Sequence, residues 1–250
     1  GGLKKDFKNP SEIQKKTAIN FSKLLDLVAS EFPKMRIRFT TSNPQDFHDE
    51  VIFTMKKHKN ICNHIHLPVQ SGSDTILKAM NRQHTREEYI KLVENIFQII
   101  PDCSISHDMI SGFPNESEQD HNDTLSLMEK VKYSFGYMFK YSERPGTLAA
   151  KKLEDNIDEE TKSRRLSEIV ELQQKHSLYR SKEFVGKTVE VLIEKESKKS
   201  NLHWAGRNQQ NTTVVFPKEN YNIGDFVNVK INSCTSATLI GEAIAFSKNN

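Results

Sequence analysis

The sequence predicts an α/β protein in two parts, an incomplete parallel βα barrel followed by a small five-stranded β-barrel. Two observations carry this. Over residues 1–150, segments with a helical apolar period alternate with short extended runs, and each extended run ends in a polar or Gly/Pro loop. After Gly186 the period changes to two, and five short strands follow, punctuated by Gly206, Gly224 and Gly241. Five alternating strands in so short a stretch are the pattern of an OB-like barrel. The boundary is expected near residue 183, giving a first part over 1–183 with a trailing helix and a second over 184–250.

Element by element, Ser11-Glu-Ile-Gln14 opens a helix whose Ile19, Leu24, Leu25, Leu27, Val28 and Phe32 fall largely on one face. Arg36–Thr41 reads as a strand stopped by Ser42-Asn-Pro44, and residues 46–58 as a helix. His64–Val69 is the second strand, ending in Gln70-Ser-Gly-Ser73, and Ser73 caps a short helix reaching about Asn81. Thr85-Arg-Glu-Glu88 is a capping box for an amphipathic helix through Ile100. Cys103–Ile110, helix 117–132 and strand Phe135–Tyr141 complete the first part. A long helix follows within 151–183, with Leu166, Ile169, Val170 and Leu172 as its stripe. The barrel strands are expected at 188–194, 202–206, 212–216, 226–233 and 238–246.

Repeated strand, loop and helix implies parallel strands with right-handed crossovers. Ligands of such sheets sit at the carboxyl ends of the strands, where the loops converge. Four strands are too few to close an eight-stranded barrel.

Composition removes several classes. The 250 residues carry 36 Lys plus Arg against 33 Asp plus Glu, a net charge of +3, so composition alone does not announce a nucleic-acid binder. The longest apolar runs fall short of a membrane span, and no secretory signal pattern is present, which makes a cytoplasmic protein the expectation. Gly1-Gly2 without an initiator Met suggests a cut start. Cys62, Cys103 and Cys234 have neither knuckle nor redox spacing and read as reduced thiols. Cys62, His64 and His66 share a strand face, a superficial metal pattern that still needs a fourth ligand.

Four motifs occur in order: Phe39-Thr-Thr-Ser-Asn-Pro44; His66-Leu-Pro-Val-Gln-Ser-Gly-Ser73 with Met80-Asn-Arg-Gln-His-Thr85; Asp108-Met-Ile-Ser-Gly-Phe-Pro114; and Tyr141-Ser-Glu-Arg-Pro-Gly-Thr147. Together they resemble the radical S-adenosylmethionine methylthiotransferases, specifically the tRNA-modifying MiaB family. The tail, with Gly206-Arg-Asn and Thr213-Val-Val-Phe216, resembles that family's TRAM domain, and the resemblance covers about residues 17–246.

The resemblance implies a partial barrel that binds S-adenosylmethionine beside a 4Fe-4S cluster, with an electron donor for the cluster. It implies reductive cleavage of the cofactor, hydrogen abstraction and methylthiolation at carbon 2 of isopentenyl-adenosine next to a tRNA anticodon. The family's CxxxCxxC cluster loop is absent from this sequence, as are its N-terminal domain and first barrel strands. The chain therefore looks like the C-terminal part of such an enzyme, without catalytic residues of its own, no cluster expected, and inactive alone. A sister enzyme acting on a ribosomal-protein aspartate and a non-catalytic RNA-binding module are the other readings.

The resemblance assigns Thr41, Ser42, Gln70, Ser71, Asp108, Ile110 and Gly112 to the cofactor. For Thr41 and Ser42 the alternative is a strand-ending turn, for Gln70 and Ser71 the approach to a helix cap, and for Ile110 ordinary barrel filling. Asp108 facing inward is costly unless paired. Asn115 stands where the family usually has Gly, and Asn tolerates the left-handed turn required there. Glu116 caps the next helix or faces the cofactor. Towards the anticodon stem-loop of tRNA the resemblance assigns Arg82, Lys140, Arg144, Lys195, Lys198, Lys199, Trp204 and Arg207. The alternatives are a helix C-terminus for Arg82, a surface salt bridge for Arg144 and a solvated hairpin tip for Lys198-Lys199. Tyr137, Phe139 and Tyr141 form an aromatic stripe expected to be core.

Overall fold

The computed structural model describes residues 11–13, 18–40 and 43–247. Its first part runs α1 (Phe21–Glu31), α2 (Asp49–Lys57), β1 (His64–His66), α3 (Asp74–Ala79), α4 (Arg86–Ile99), β2 (Ser104–Ser111), α5 (Glu118–Val131), β3 (Phe135–Lys140), α6 (Leu148–Lys152) and α7 (Glu159–Lys182). β1, β2 and β3 pair in that order, all parallel. The helix starts follow from their caps. Thr85 with Glu88 and Ser117 with Asp120 form reciprocal capping boxes, and the Ser73 hydroxyl accepts from the Ile76 amide.

Of the strand expected over Arg36–Thr41, the described residues through Thr40 show one parallel bridge, Ile37 to Ile61. Its neighbour α1 is correspondingly bare. Leu25, Ala29 and Ser22 are buried, whereas Ile19, Leu24, Leu27, Val28 and Phe32 of the expected stripe are exposed. α1 packs on α2, where Ser22 and Thr54 share a hydroxyl hydrogen bond of 2.9 Å.

The sheet has two unlike faces. Ile65, Ile105, Met109 and Met138 point to the helices and join the main core with Val93, Ile96, Leu127 and Met128. His64, His66, Ser104, Ser106, Asp108, Ile110, Phe135, Tyr137 and Phe139 alternate with them and line the concave face. Tyr137 and Phe139 are each 54% exposed, so the aromatic stripe is an open surface and not core. The reason is topological, because β3 is the edge strand and α7 covers only its other face.

The stripe of α7 also differs from expectation. Ile169 is buried, but the other buried positions are Lys162, Arg165, Gln173, His176, Ser177 and Ser181, with Leu166, Val170 and Leu172 only half-buried. Each of these longer polar side chains meets a polar group of the sheet or its loops. Gln173 Oε1 accepts from His107 Nε2–H (2.8 Å) and its amide nitrogen donates to the Tyr133 carbonyl (3.0 Å), while Arg165 pairs with Glu116 (2.9 Å).

The second part is a closed barrel of β4 (Thr188–Ser197), β5 (Ser200–Arg207), β6 (Thr213–Pro217), β7 (Phe226–Cys234) and β8 (Thr238–Phe246). Its order is β4-β5-β6-β8-β7, with β6 and β8 parallel and the other neighbours antiparallel. Val191, Ile193, Val214, Phe216, Val227, Val229, Ile231 and Leu239 fill it. A Cβ at Gly206 would lie 2.1 Å from the Leu192 carbonyl oxygen, so this crossing of β5 over β4 admits only glycine. No helix among the described residues is long and apolar enough to cross a membrane.

The barrel is docked against the first part. The Arg36 side chain is buried, donates to Glu190 Oε1 and to the Arg207 carbonyl (both 2.7 Å), and lies over the Phe226 ring. Arg38 pairs with Glu194 (2.7 Å), Gln209 donates to the Lys59 carbonyl and Gln210 to Asp102 (both 2.7 Å). Positions 36, 59 and 102 all precede strands or bridges, so the barrel seats on the amino end of the sheet, opposite the strand-end loops.

Candidate functional site

Thr41 and Ser42 lie outside the described residues. The remaining cofactor positions come from the carboxyl ends of β1 and β2. Gln70 continues the line of β1 and bridges Met109; its amide donates to the Asp108 carbonyl and its own carbonyl accepts from Ile110 N–H (both 3.0 Å). Its φ of +78° turns the chain sharply away from the sheet. Ser71 is fully buried behind this turn. Its hydroxyl lies 3.3 Å from Thr124 Oγ1 and accepts from the Ser73 amide, which locks the loop onto α5.

Asp108 and Ile110 are half-buried on the concave face. Asp108 Oδ1 stands 3.5 Å from His66 Nε2, and the ordinary cost of a carboxylate facing inward is offset there. Arg82 is half-buried beside them. Burial lowers its guanidinium pKa and the Asp108 charge partly restores it. Arg82, Asp108 and Ile110 are thus brought together with Tyr137 and Phe139 at the carboxyl end of the concave face, while Gln70 is buried in the adjoining turn, in register with Met109.

Gly112 turns the chain out of β2 with φ of +73°, and a Cβ there would meet Lys162 Cγ at 2.3 Å. Its amide donates to Glu116 Oε2 (2.8 Å), and Glu116 in turn receives Arg165. Glu116 neither caps α5, which Ser117 does, nor reaches the concave face. It ties the turn to α7, and burial pushes its carboxyl pKa up despite the arginine. Asn115 adopts the left-handed conformation, φ +65°, and exchanges two hydrogen bonds with Asn156 (2.9 and 2.8 Å). Lys162, buried, pairs with Asp155 (2.6 Å) and Glu159 (3.1 Å). Nothing in the sequence singled out this strap of α7 residues, because each is an ordinary charged residue until the helix is set against the turn.

The RNA-assigned residues are dispersed. Lys140 faces the helix side and pairs with Glu159 (2.9 Å), while Arg144 is exposed in the loop after β3, where its carbonyl accepts from Thr147. Lys198 and Lys199 form the exposed tip between β4 and β5. Lys195 is exposed on β4, opposite Ala205. Trp204 packs against the barrel core with the Lys218 ammonium 4.4 Å from its ring centre, and Lys218 also pairs with Glu196. Arg207 is at the opposite end of β5 from that tip, about 20 Å away by strand rise, bonded to Asn211 Oδ1 (2.9 Å) and close to Glu194 (3.4 Å). The sequence cluster around Trp204 is therefore split into a free tip and a docked base.

A cavity of about 640 Å³ lies between β3, α7 and the barrel, lined among others by Ser104, Phe135, Gln174, Arg207 and Asn211. It is at the amino side, reaches Tyr137, and leaves Gln70, Arg82, Asp108 and Ile110 outside it.

Residues 12–128 match the Radical SAM superfamily and residues 182–244 the TRAM domain. The chain is 70% identical over 250 residues to the tRNA-2-methylthio-N(6)-dimethylallyladenosine synthase of Christiangramia forsetii and 68% identical over 250 residues to that of Flavobacterium johnsoniae. Each alignment covers all of this chain and 52% of the relative. The chain is similar along its whole length to these synthases and carries the Radical SAM and TRAM matches in that order. It spans about half the length of the curated relatives it matches. Among solved structures it is similar to coproporphyrinogen III oxidase from Escherichia coli, with a TM-score of 0.53 at 14% identity, over 76% of this chain and 52% of that one. That likeness concerns the fold.

The cysteines of this chain do not fit an iron–sulfur cluster. Cys62 and Cys103 are buried just before β1 and β2, and burial pushes both thiols up in pKa, away from the thiolate a metal needs. Cys234 is in the other barrel. Among the described residues no group of three His, Cys, Asp or Glu is placed to hold a metal ion. His64 and His66 instead converge on Ser106 Oγ, at 3.0 and 2.9 Å.

Proposed function

We propose that this chain is the cofactor-holding and RNA-holding half of a tRNA methylthiotransferase that acts on carbon 2 of isopentenyl-adenosine beside the anticodon. The single observation that carries the reading is the identity to synthases of that name along the whole chain, joined to a half-barrel whose carboxyl edge gathers Gln70, Arg82, Asp108 and Ile110. S-adenosylmethionine, when bound, supplies the radical chemistry and the family's 4Fe-4S cluster the electron, with an external electron donor. The described residues here hold no ligand set for that cluster.

What this chain contributes is binding and orientation. Asp108 accepts hydrogen bonds from a polar ligand, and Arg82 offers a planar fork to a carboxylate or phosphate. Ile110, Tyr137 and Phe139 give a flat apolar floor for an adenine or the isopentenyl base, and the Gly112 turn closes the edge of that floor. Arg144, at the rim, and Lys195, Lys198 and Lys199, on the barrel, meet the phosphate backbone of an anticodon stem-loop. A tRNA substrate makes the cytoplasm the place of action.

The test is nucleoside mass spectrometry of tRNA from cells lacking the gene. The reading requires loss of 2-methylthio-isopentenyl-adenosine with isopentenyl-adenosine accumulating. An unchanged nucleoside profile, with a mass change in a ribosomal protein, would assign the chain to the sister activity.

A further inference from the structure

The two histidines of β1 have no part in the reading above, yet they are the best-connected polar groups of the concave face. Their connections run in one direction. At the domain junction Arg207 Nη1 donates to Asn211 Oδ1 (2.9 Å), which fixes the amide so that Asn211 Nδ2 faces His64 Nδ1 at 3.4 Å. A donor at that nitrogen leaves the ring proton of His64 on Nε2. Burial lowers the His64 pKa to about 4, and Arg38, Arg207 and His66 all press the same way, so the ring is neutral at pH 7.

His64 Nε2–H then donates to Ser106 Oγ (3.0 Å). A hydroxyl has one proton to give, and with that acceptor site filled it gives it to His66 Nδ1 (2.9 Å). The proton of His66 is left on Nε2, the nitrogen that faces Asp108 Oδ1 at 3.5 Å. Both rings are also held in plane. His64 stacks on Phe135 with 14° between the rings, and His66 meets the edge of Tyr137 at 6.0 Å. Every link is set by the one before it, starting from an arginine of the small barrel.

We propose that His66 is a positioning residue, held in its Nε2–H tautomer by Ser106 and His64, which orients the Asp108 carboxylate towards the adenosyl ligand; the ligand part of this statement rests on the function proposed above. Two consequences follow. Asp108 is presented as an acceptor aimed at hydroxyl or ammonium groups of the ligand, its second oxygen remaining open. The docked barrel, through Asn211, also takes part in the geometry of the carboxyl edge, which lies about 25 Å from the amino end along an eight-residue strand. No proton is transferred in this scheme; the chain of hydrogen bonds acts by fixing tautomers.

The experiment is side-chain nitrogen NMR on the whole chain with ¹⁵N-labelled histidine at pH 7.5. The expected spectrum has His64 and His66 both as neutral Nε2–H rings. Ser106→Ala, which removes one buried hydroxyl, is expected to shift His66 towards a mixture of tautomers with His107 unmoved. A His66 Nδ1–H ring in the unaltered chain, or a His66 pattern indifferent to Ser106→Ala, would overturn the proposal. Two further variants guard against a folding defect, because each keeps half of the ring's function. His66→Gln retains a donor at the Nε2 position and His66→Asn only the Nδ1 side. With S-adenosylhomocysteine as the probe, His66→Gln is expected to keep affinity within a few-fold and His66→Asn to lose about tenfold, the effect of leaving one charged partner unpaired. Equal losses in both would overturn the positioning role. A probe that fails to bind the unaltered chain would instead count against the cofactor reading, and the tautomer spectra would still decide the relay.

Discussion

Arg36 and Glu190, 154 residues apart in sequence, meet at 2.7 Å with the arginine side chain 1% exposed. This pair, with the Arg207 carbonyl and the Phe226 ring around the same guanidinium, makes the small barrel a docked unit at the amino end of the sheet. The strand-end loops remain open at the other end.

Removing the arginine takes the guanidinium away from the half-buried Glu190 carboxylate, which keeps its hydrogen bond from Ser247. Arg36→Ala is expected to cost about 3 kcal/mol and to split one thermal unfolding transition into two, as calorimetry would record. A single transition with unchanged midpoint would mean that the barrel is tethered only by its linker.

The turn after β2 has no room for a side chain. Gly112→Ala meets Lys162 Cγ and a left-handed backbone, and is expected to cost about 1–3 kcal/mol in urea unfolding. Gly112→Ala combined with Lys162→Ala should recover part of that loss, since the clash goes while the backbone penalty stays.

Acid should weaken the fold in a defined window. Burial lowers His64 and His107 from the ordinary 6.5 to about 4, so the unfolded chain takes up these protons first. The contribution is complete above about pH 6.5 and is lost as pH falls to about 4, on the order of 3 kcal/mol per ring. Glu118, held down at about 2 by Arg164 and Arg165, adds a smaller loss of the same sign below its ordinary 4.5; it is half-exposed and screened by solvent. Urea midpoints measured from pH 7 to 4 should fall less steeply in His107→Gln than in the unaltered chain.

On the barrel, the tip and the tryptophan should separate. Lys198→Ala with Lys199→Ala is expected to weaken anticodon stem-loop binding and to reduce the salt slope by about 1–2, with thermal stability unchanged. Trp204→Ala, which empties a place against the barrel core beneath Lys218, should lower stability first. Fluorescence anisotropy over a salt series, beside a melting curve, distinguishes the two.

Much of this architecture is written locally in the sequence. The capping boxes at Thr85 and Ser117, the Ser73 cap and the left-handed Asn115 all depend on residues within a few positions, and the structure has each of them. The five barrel strands likewise follow from their own alternation. What escaped local reading depends on a distant partner. Lys162, Arg165 and Gln173 look like solvent-facing helix residues until Asp155, Glu116 and His107 are set against them. Tyr137 and Phe139 look like core because alternation alone does not reveal that β3 is an edge. Arg36 and Asn211 gave no sequence signal, since their roles exist only at the junction of the two parts. Gln70, Arg82, Asp108 and Ile110 could be named because family motifs carry them; that Asp108 and Ile110 share the concave face with Tyr137 and Phe139 emerged from the β2–β3 register, and that Gln70 pairs with Met109 instead emerged from the structure.

The most direct test of the carboxyl-edge assignment uses the intact gene. A strain lacking it would be complemented with the unaltered gene or with Asp108→Ala, and its tRNA nucleosides measured by mass spectrometry at equal protein abundance. The assignment predicts full 2-methylthio-isopentenyl-adenosine with the first and less than about a tenth with the second, as loss of a charged ligand contact requires, while isopentenyl-adenosine accumulates. Full modification with Asp108→Ala would contradict it.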